Sequence, residues 1–264
     1  MRGAAQTGMH SIIAVMTTFS RRGLHGHVVD VLGGRIMRGE LVSGNIIDQD
    51  ALLTEFQVSR TVLREAIKVL TTKGLVDARP RLGTYITERE RWQLLDSDVM
   101  TWRSEGVPDA LLVLELSEVR HILEPAAARL AAVRRSDEQC AEIQAAMTAL
   151  AATFESTEVE SHVKADLAFH RAVLAASGNE LLARFEVVLE PALHARNELA
   201  FAHETTTQFL VEHQAVLEAI VAQDADGAFA AMHILMTQSA SDSEAIVSKD
   251  AAGAALIKER KRAL

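Results

Sequence analysis

The chain has 264 residues, of which 48% are hydrophobic and 4% aromatic, so it can bury a sizeable core as one large or two modest domains. Its single cysteine, Cys140, excludes an internal disulfide and a cysteine-pair metal site, which fits a reducing cytoplasm. No apolar run approaches the roughly 18 residues of a membrane-spanning helix, so the sequence predicts a soluble cytoplasmic protein with no membrane partner.

The net charge of −9 argues against a nucleic-acid-binding protein until it is divided along the chain. Residues 20–92 hold twelve Lys and Arg against nine Asp and Glu, which gives +3, whereas residues 93–264 hold fourteen against twenty-seven, which gives −13. Such asymmetry predicts two modules with different partners. Residues 1–22 contain only a short apolar patch, IIAV, and we expect a disordered extension there because a signal peptide needs a longer apolar core.

Three helical patterns follow this extension. The first, LHGHVVDVLGGRIMRGE, ends near Gly39. The second, DQDALLTEF, can be capped by Asp48, and the third, SRTVLREAIKVLTTKG, can be capped by Ser59 and ended by Gly74. A very short turn, QV, joins the last two helices. Two helices joined in this way, the second ending at a glycine, are typical of a helix-turn-helix motif.

The third helix has a basic side as well as an apolar stripe. Arg60, Arg64 and Lys68 recur at every fourth position, with Thr61 beside them. Taken alone, this triplet is as compatible with an ordinary solvated basic face as with a DNA contact.

A basic hairpin follows this basic helix. The segment LVDARPRLGTYIT predicts two strands around a glycine-containing turn, with Arg79 and Arg81 near the tip. A basic helix followed by a basic hairpin is typical of a winged helix-turn-helix domain, which can place the helix in a major groove and the wing against phosphate or the minor groove. The hairpin therefore favours the DNA-binding interpretation of the helix.

The segment FQVSRTVLREAIKVLTTKGLVDARPRLGTYI resembles the DNA-binding domain of the GntR family of bacterial transcription regulators, whose shared pattern is VSRxxxREAxxxLxxxGLV followed by a wing glycine. The resemblance implies that the two arginines of the motif contact an operator and that the hydroxyl residues beside them lie on phosphates or base edges. The predicted DNA-binding residues are Ser59, Arg60, Thr61, Arg64, Lys68, Arg79, Arg81 and Gly83.

Three positions depart from the family's pattern. The family usually has proline and, two residues later, glutamate ahead of the second helix, whereas this chain has Ile47 and Gln49. Asp50 stands at a position that is often basic in relatives. The resemblance therefore implies the winged helix-turn-helix fold, while the operator contacts of this chain are expected to differ in detail.

From LLDSDVMTWRSEG onward the sequence predicts helices and no convincing strand. About six amphipathic segments, the first of them interrupted by Pro125, predict an antiparallel bundle, a fold that commonly holds ligand or metal sites between facing helices. The expected fold class is mostly α. The expected divisions are a winged helix-turn-helix domain at 23–90, a linker with a short helix at 91–108, an all-α effector- and metal-binding domain at 109–247 and a tail at 248–264.

Seven of the ten histidines fall in the second module, where a lone histidine on a helix is usually a surface residue or a satisfied core residue. Asp166 and His170 differ, because their i, i+4 spacing brings both side chains over the same helical turn. His213 lies on a later helix. A carboxylate and imidazoles from separate helices suit zinc or a similar divalent ion, but spacing alone leaves both a metal site and ordinary packing open.

The segment DLAFHRAVLAASGNELL, followed by EHQAVLEAI, resembles the FCD ligand-binding domain of the FadR subfamily of these regulators. The resemblance implies that Asp166, His170 and His213 are metal ligands. The subfamily often supplies a further histidine from the last helix, where this chain has Leu235. His233 lies two residues earlier, about 200° away around the helix, so it would reach the site only after a register shift.

The segments LLDSDVMTWRSEG and LSEVRHILEPAAARLAA are similar to those of bacterial repressors of D-galactonate catabolism, which implies a sugar-acid effector. The carboxylate and vicinal hydroxyl oxygens of such a ligand can complete the coordination of a divalent metal, and a guanidinium can pair with its carboxylate. Arg120 is the first candidate for that guanidinium, followed by Arg196 and Asn197, although surface ion pairs or helix caps are alternatives for each. Asn179 is expected to be a helix cap.

The sequence thus predicts a homodimeric transcription repressor that reads a roughly palindromic operator and is released by a sugar acid bound at a zinc-containing pocket. Two alternatives remain open. In one, the protein is a metal-responsive regulator in which the ion itself is the signal. In the other, it is a metal-dependent hydrolase or isomerase, although an enzyme would not explain the winged domain.

Overall fold

The computed structural model describes residues 23–104, 110–153, 158–185, 207–249 and 251–263. The chain divides into two compact units, Met1–Glu105 and Gly106–Leu264. The described residues are mostly helical, with one β-hairpin in the first unit, which confirms the expected fold class. The predicted N-terminal extension, residues 1–22, lies outside the described residues. No helix within the described ranges has the length and apolar character needed to cross a membrane.

The first unit has the element order of a winged helix-turn-helix domain. Its elements are α1 (Gly23–Met37), α2 (Gln49–Phe56), α3 (Arg60–Thr72), β1 (Val76–Arg79), β2 (Gly83–Ile86), a 3-10 turn (Arg89–Arg91) and α4 (Ser97–Ser104). The predicted caps form: Asp48 accepts a hydrogen bond from the Ala51 amide and Ser59 accepts one from the Val62 amide. Gly74 ends α3 with a φ of +77°, a conformation that L side chains rarely adopt.

The wing is an antiparallel hairpin that is tied to the start of α2. In its register, Val76 faces Ile86 and Arg79 faces Gly83. The Ile47 amide donates to the Thr84 carbonyl at 2.8 Å, so the residues before α2 extend the sheet by a short bridge. One hydrophobic core joins the helices to the hairpin, and its buried members include Val28, Leu32, Leu63, Leu70, Leu75, Ile86 and Trp102.

The predicted linker, residues 91–108, is partly built into this unit. Trp102 of α4 is buried against α1, where its indole Nε1 donates to the Asp30 carboxylate at 3.3 Å. At the end of α3, the Lys73 ammonium lies 2.6 Å from Asp96 and 2.8 Å from Asp98, which ties the start of α4 to α3. The described part of this segment therefore packs in the first unit, while residues 105–109 lie outside the described residues.

The second unit is a helical bundle. Its described helices are α5 (Ala110–Arg134), α6 (Asp137–Ala152), α7 (Val159–Ala176), α8 (Glu180–Ala183), α9 (Thr207–Val221), α10 (Ala225–Val247) and α11 (Ala251–Ala263). Pro125, at which we expected a kink or a break, lies inside helix α5, which continues through it without a break. Helix α11 falls in the predicted tail. The largest core of this unit joins α5, α6, α7, α9 and α10 and includes Ile143, Phe169, Val216, Ile220, Met232 and Leu235.

Two adjacent glycines of α1 give a matched test of the packing of Trp102. A Cβ on Gly33 would overlap the Trp102 ring, whereas a Cβ on Gly34 would lie 2.9 Å from the tip of the flexible Arg38 side chain. We expect Gly33→Ala to lower the free energy of unfolding of the first unit by about 1–3 kcal/mol. Gly34→Ala should be neutral or raise it by about 0.5–1 kcal/mol, because alanine replaces glycine inside a helix.

Urea unfolding followed by tryptophan fluorescence measures this difference. Both tryptophans, Trp92 and Trp102, belong to the first unit, so the signal reports on that unit. Equal stability of the two variants would contradict the proposed close packing of Gly33 against α4.

Candidate DNA-binding face and buried metal-ligand cluster

The first candidate site is the exposed side of α3. Ser59 lies at its N-cap, and the residues Arg60, Thr61, Arg64 and Lys68 are all exposed. Nη2 of Arg60 lies 2.9 Å from Asp50 Oδ1, and Nζ of Lys68 lies 2.7 Å from Glu65 Oε1. Exposed ion pairs of this kind contribute little to stability. These charges are therefore available for a partner rather than needed for the fold.

The wing presents further basic residues beside this helix. Arg79 and Arg81 are exposed, and the guanidinium of Arg79 lies 4.6 Å from the centroid of the Tyr85 ring. Arg81 and Gly83 shape the tip of the wing with φ values of +67° and +96°. The hairpin thus places two guanidinium groups at the end of the sheet, as the sequence predicts.

The three positions that depart from the family pattern have identifiable contacts. Ile47 is buried in the core of the first unit, and Nε2 of Gln49 donates to Thr84 Oγ1 at 3.0 Å, which joins α2 to the wing. Asp50 forms the ion pair with Arg60. Two of the departures therefore support the hairpin, and the third changes the charge beside the first arginine of α3.

The second candidate site lies inside the bundle. Asp166 and His170 of α7 meet His213 of α9, and all three side chains are at most 1% exposed. Nε2 of His213 lies 3.0 Å from Asp166 Oδ1, and Nε2 of His170 lies 3.4 Å from the same oxygen. One potential ligand atom from each residue falls within 4.8 Å of the others. The structure therefore brings together the three residues that the sequence selects as metal ligands.

Neighbouring groups orient both imidazoles of this cluster. Nδ1 of His213 lies 2.8 Å from the Phe209 carbonyl, which can only accept, so Nδ1 carries a proton, and Nε2, which faces Asp166 Oδ1, is the nitrogen that a cation would bind. Nδ1 of His170 lies 2.5 Å from Oε2 of Glu124, although not in hydrogen-bond geometry, and this leaves its Nε2 on the side of Asp166. Both rings therefore direct Nε2 towards the same carboxylate.

The donor set fits a divalent cation such as zinc. With metal–ligand bonds of about 2.0–2.1 Å, the ligand atoms of a tetrahedral zinc site lie about 3.3–3.4 Å apart, close to the two measured separations from Asp166 Oδ1. Oδ2 of Asp166 is buried and has no hydrogen-bond partner among the described residues. Two imidazole nitrogens and a carboxylate also match the ligand types that zinc and similar metals prefer.

Helix α5 adds a second buried pair to this cluster. Nε of Arg120 donates to Glu124 Oε1 at 2.6 Å, and Nη2 of Arg120 lies 3.2 Å from Nε2 of His170. Arg120 and Glu124 are 4% and 2% exposed. Arg120 is therefore adjacent to the predicted metal ligands rather than on the surface, as expected of a residue that meets a bound anion.

The ionisation of the cluster follows from these contacts. Burial disfavours the charged form of Asp166, but the hydrogen bonds and charges of His170 and His213 outweigh burial and hold its pKa well below the usual value. Burial also lowers the pKa of His170, whereas the charges of Glu124 and Asp166 raise it, and the net pKa is raised. The pKa of Glu124 falls to about 2, because Arg120 and His170 outweigh its burial.

The other predicted site residues lie elsewhere. His233 is exposed, and its ring packs against His121, with centroids 4.5 Å apart, and against Phe229, so the structure does not bring it into the cluster. Its neighbour Leu235 is in the core instead. Asn179 caps α8, as expected. Arg196 and Asn197 lie outside the described residues.

Glu124 is the site residue that the sequence reasoning missed. Its i, i+4 spacing from Arg120 is the same signal that selected Asp166 and His170.

Comparison with known proteins agrees with both units. The family profile "Bacterial regulatory proteins, gntR family" matches residues 24–86, and the FCD domain profile matches residues 115–238. The galactonate operon transcriptional repressor of Escherichia coli (strain K12) is 33% identical over 204 residues, which cover 76% of this chain and 88% of that protein. The HTH-type transcriptional regulator LutR of Bacillus subtilis (strain 168) is 35% identical over 209 residues, which cover 75% of this chain and 90% of that protein.

A solved structure supports the same fold. Lar of Listeria monocytogenes, described as controlling expression of the agr system, gives a TM-score of 0.60 at 19% identity and covers 84% of this chain and 97% of its own. A winged helix-turn-helix unit followed by such a helical unit defines a DNA-binding transcription regulator, not an enzyme. The chain belongs to the GntR family of bacterial regulatory proteins and carries an FCD domain.

The low pKa of Glu124 makes a prediction about stability and pH. Because its pKa in the folded protein, about 2, lies below the ordinary value of 4.5, Glu124 stabilises the fold above about pH 4.5 and loses this contribution as the pH falls towards 2. Between pH 5 and pH 3 we expect the wild type to lose about 2 kcal/mol more of its free energy of unfolding than Glu124→Gln.

Urea unfolding followed by circular dichroism in the presence of a chelator measures this difference. Glu142, an exposed glutamate of α6, provides the control, since Glu142→Gln should keep the pH dependence of the wild type. Parallel pH profiles for the wild type and Glu124→Gln would show that Glu124 does not carry a lowered pKa.

Proposed function

We propose that the protein is a cytoplasmic, homodimeric repressor of an operon for sugar-acid catabolism. A galactonate-like carboxylate would bind beside a divalent metal ion, with zinc as the favoured ion, and release the protein from its operator. The observation that carries this proposal is the buried set of Asp166, His170 and His213 with Arg120 beside it, in a chain whose other unit is a DNA-binding domain.

The proposed operator contacts come from α3 and the wing. Residues at the N-terminal end of a recognition helix are those that reach base edges in helix-turn-helix proteins, and this end holds Arg60, Thr61 and Arg64. Arg79, Arg81 and Gly83 form the wing tip, where guanidinium groups suit phosphate or minor-groove contacts. Ser59 and Lys68 complete the proposed set. Two such domains in a homodimer would read two half-sites of a roughly palindromic operator.

The proposed effector follows from the charges around the cluster. A bound divalent ion would supply a Lewis acid that holds carboxylate and hydroxyl oxygens of the ligand. Arg120 would pair with the ligand's carboxylate, since a guanidinium binds a carboxylate in a planar, two-point geometry. Arg196 and Asn197 are proposed as further ligand contacts. The E. coli relative whose name refers to the galactonate operon supports a hexonate as the first ligand to test.

Release from the operator requires a difference in affinity between two forms of the dimer. An effector shifts the equilibrium only if it binds the form that does not fit the operator more tightly than the form that does. The ligand side chains lie on α7 and α9, and Arg120 lies on α5, so a ligand that contacts all three helices can change how they pack.

A metal-responsive regulator is the second candidate function. Three donor atoms from the chain itself converge without any contribution from an effector, and this observation favours an ion that binds on its own. The two functions differ in one result. If the ion is the signal, zinc alone changes operator affinity, whereas in the sugar-acid repressor the change requires the carboxylate ligand as well.

Removal of Arg64 tests the DNA-binding face. If its guanidinium contacts a base edge, Arg64→Ala should lower affinity by about 1–3 kcal/mol. The probe is a duplex that the wild type selects from a random-sequence DNA library, and fluorescence anisotropy measures its dissociation constant. Arg129→Ala, which removes an exposed arginine from α5 of the second unit, serves as the control and should bind like the wild type. If Arg64→Ala bound the duplex with the affinity of the wild type, Arg64 would not contact a base edge.

Removal of His170 tests the ligand cluster. His170→Ala should bind the same duplex as the wild type but retain far less zinc after dialysis, and D-galactonate should no longer release it from DNA. The control is His162→Ala, because His162 is a buried histidine of the same helix that bonds to Thr153 outside the cluster. Metal content by elemental analysis and release by anisotropy give the two readouts. If His170→Ala kept both properties, the site assignment would be wrong.

A further inference from the structure

The guanidinium of Arg120 and a bound cation need the same atom of His170. A neutral imidazole has one nitrogen that carries a proton and one that offers a single lone pair. Nε2 of His170 is the nitrogen that faces Asp166 and Arg120, and in the neutral form of the ring, which is the form that binds a metal ion, it can offer the lone pair. Nη2 of Arg120, which can only donate, lies 3.2 Å from that Nε2. The hydrogen bond from Arg120 therefore uses the lone pair that a metal ion would bind.

Arg120 is also held by a second partner that does not depend on His170. Its Nε donates to Glu124 Oε1 at 2.6 Å, and both side chains are buried on the same face of α5. A small rotation of the guanidinium can therefore break the contact to His170 while the contact to Glu124 persists. Glu124 also places a negative charge beside both the guanidinium and His170, which reduces the repulsion between Arg120 and a divalent cation.

We propose, on the basis of the metal and effector site assigned above, that Arg120 competes with the divalent cation for Nε2 of His170 and becomes an anion-binding group when the cation displaces it. The displaced N–H of Arg120 lies next to the cation and requires a new acceptor, because a buried donor without a partner is costly. A carboxylate that contacts both the cation and Arg120 satisfies this need. The site thus takes a chelating carboxylate only after the cation has bound.

The proposal has a thermodynamic consequence. If the cation exposes the N–H that the carboxylate needs, cation and carboxylate bind cooperatively, and each raises the affinity for the other by the same factor. A metal ion alone has to displace Arg120 and leaves its donor unpaired, so the binding of the ion alone is weakened. The role of Arg120 is therefore to make metal occupancy depend on the anionic ligand.

Zinc affinity of the full-length protein tests this competition. Wild type, Arg120→Met and Arg129→Met are titrated with Zn²⁺ against a chelating dye, and circular dichroism confirms that each variant is folded. We expect Arg120→Met to bind zinc about tenfold more tightly than the wild type, the change that corresponds to loss of one competing hydrogen bond of roughly 1.4 kcal/mol. Arg129→Met removes an exposed arginine from the same helix and should leave zinc affinity unchanged.

A second titration in excess D-galactonate measures the coupling. Zinc affinity of the wild type should rise, and that of Arg120→Met should not. If Arg120→Met fails to fold because Glu124 loses its partner, Arg120→Met combined with Glu124→Gln is compared with Glu124→Gln alone, and the same tenfold gain is expected.

The outcomes separate the inference from the proposed function. Zinc uptake by the wild type with equal or weaker uptake by Arg120→Met would overturn the competition and leave the metal site in place. No zinc uptake by the folded wild type and by Arg120→Met would overturn the metal site and the competition together. A gain in zinc affinity that appears equally in Arg129→Met would show that overall charge, and not the lone pair of His170, causes it.

Discussion

The buried carboxylate of Asp166 is the constraint on which the helical unit depends. It is 0% exposed, and an isolated charge at such a depth costs several kcal/mol unless opposite charge or hydrogen bonds compensate it. The compensation comes from His170 on the same helix and His213 on another, while Glu124 and Arg120 of α5 set the charge around them. Three helices therefore have to stay in register for one ionised side chain to remain buried. A ligand or ion that binds in this cluster therefore contacts side chains from all three helices and can change how they pack.

In the DNA-binding unit, by contrast, the charged side chains of the candidate site are exposed and not buried. Its basic side chains on α3 and the wing remain in water, where their charges contribute little to stability. The helices beneath them are held together by a buried hydrophobic core. Lys73, at the end of α3, is clamped between Asp96 and Asp98, and Trp102 of α4 is packed against α1. These contacts hold helices α1, α3 and α4 against one another within this unit.

Much of this arrangement could be predicted from the sequence, because the relevant signals are local. Asp48 and Ser59 are N-cap residues that mark where helices begin, and Gly74 marks where one ends. The i, i+4 spacing of Asp166 and His170 places their side chains on one face of a helix. The less predictable features depend on tertiary contacts. Trp102 lies in a stretch that resembles a linker, and only its fit against Gly33 assigns it to the first unit. The contact between Arg120 and His170 joins residues fifty positions apart, and no spacing rule reveals it.

X-ray absorption spectroscopy on the zinc-loaded protein tests the central claim most directly, since it reports the atoms around the ion. The account predicts two imidazole nitrogens and one or two oxygens at about 2.0–2.1 Å. A coordination shell with sulfur, which only Cys140 and the methionines could supply, or one of oxygen atoms without imidazole, would place the ion elsewhere and contradict the account.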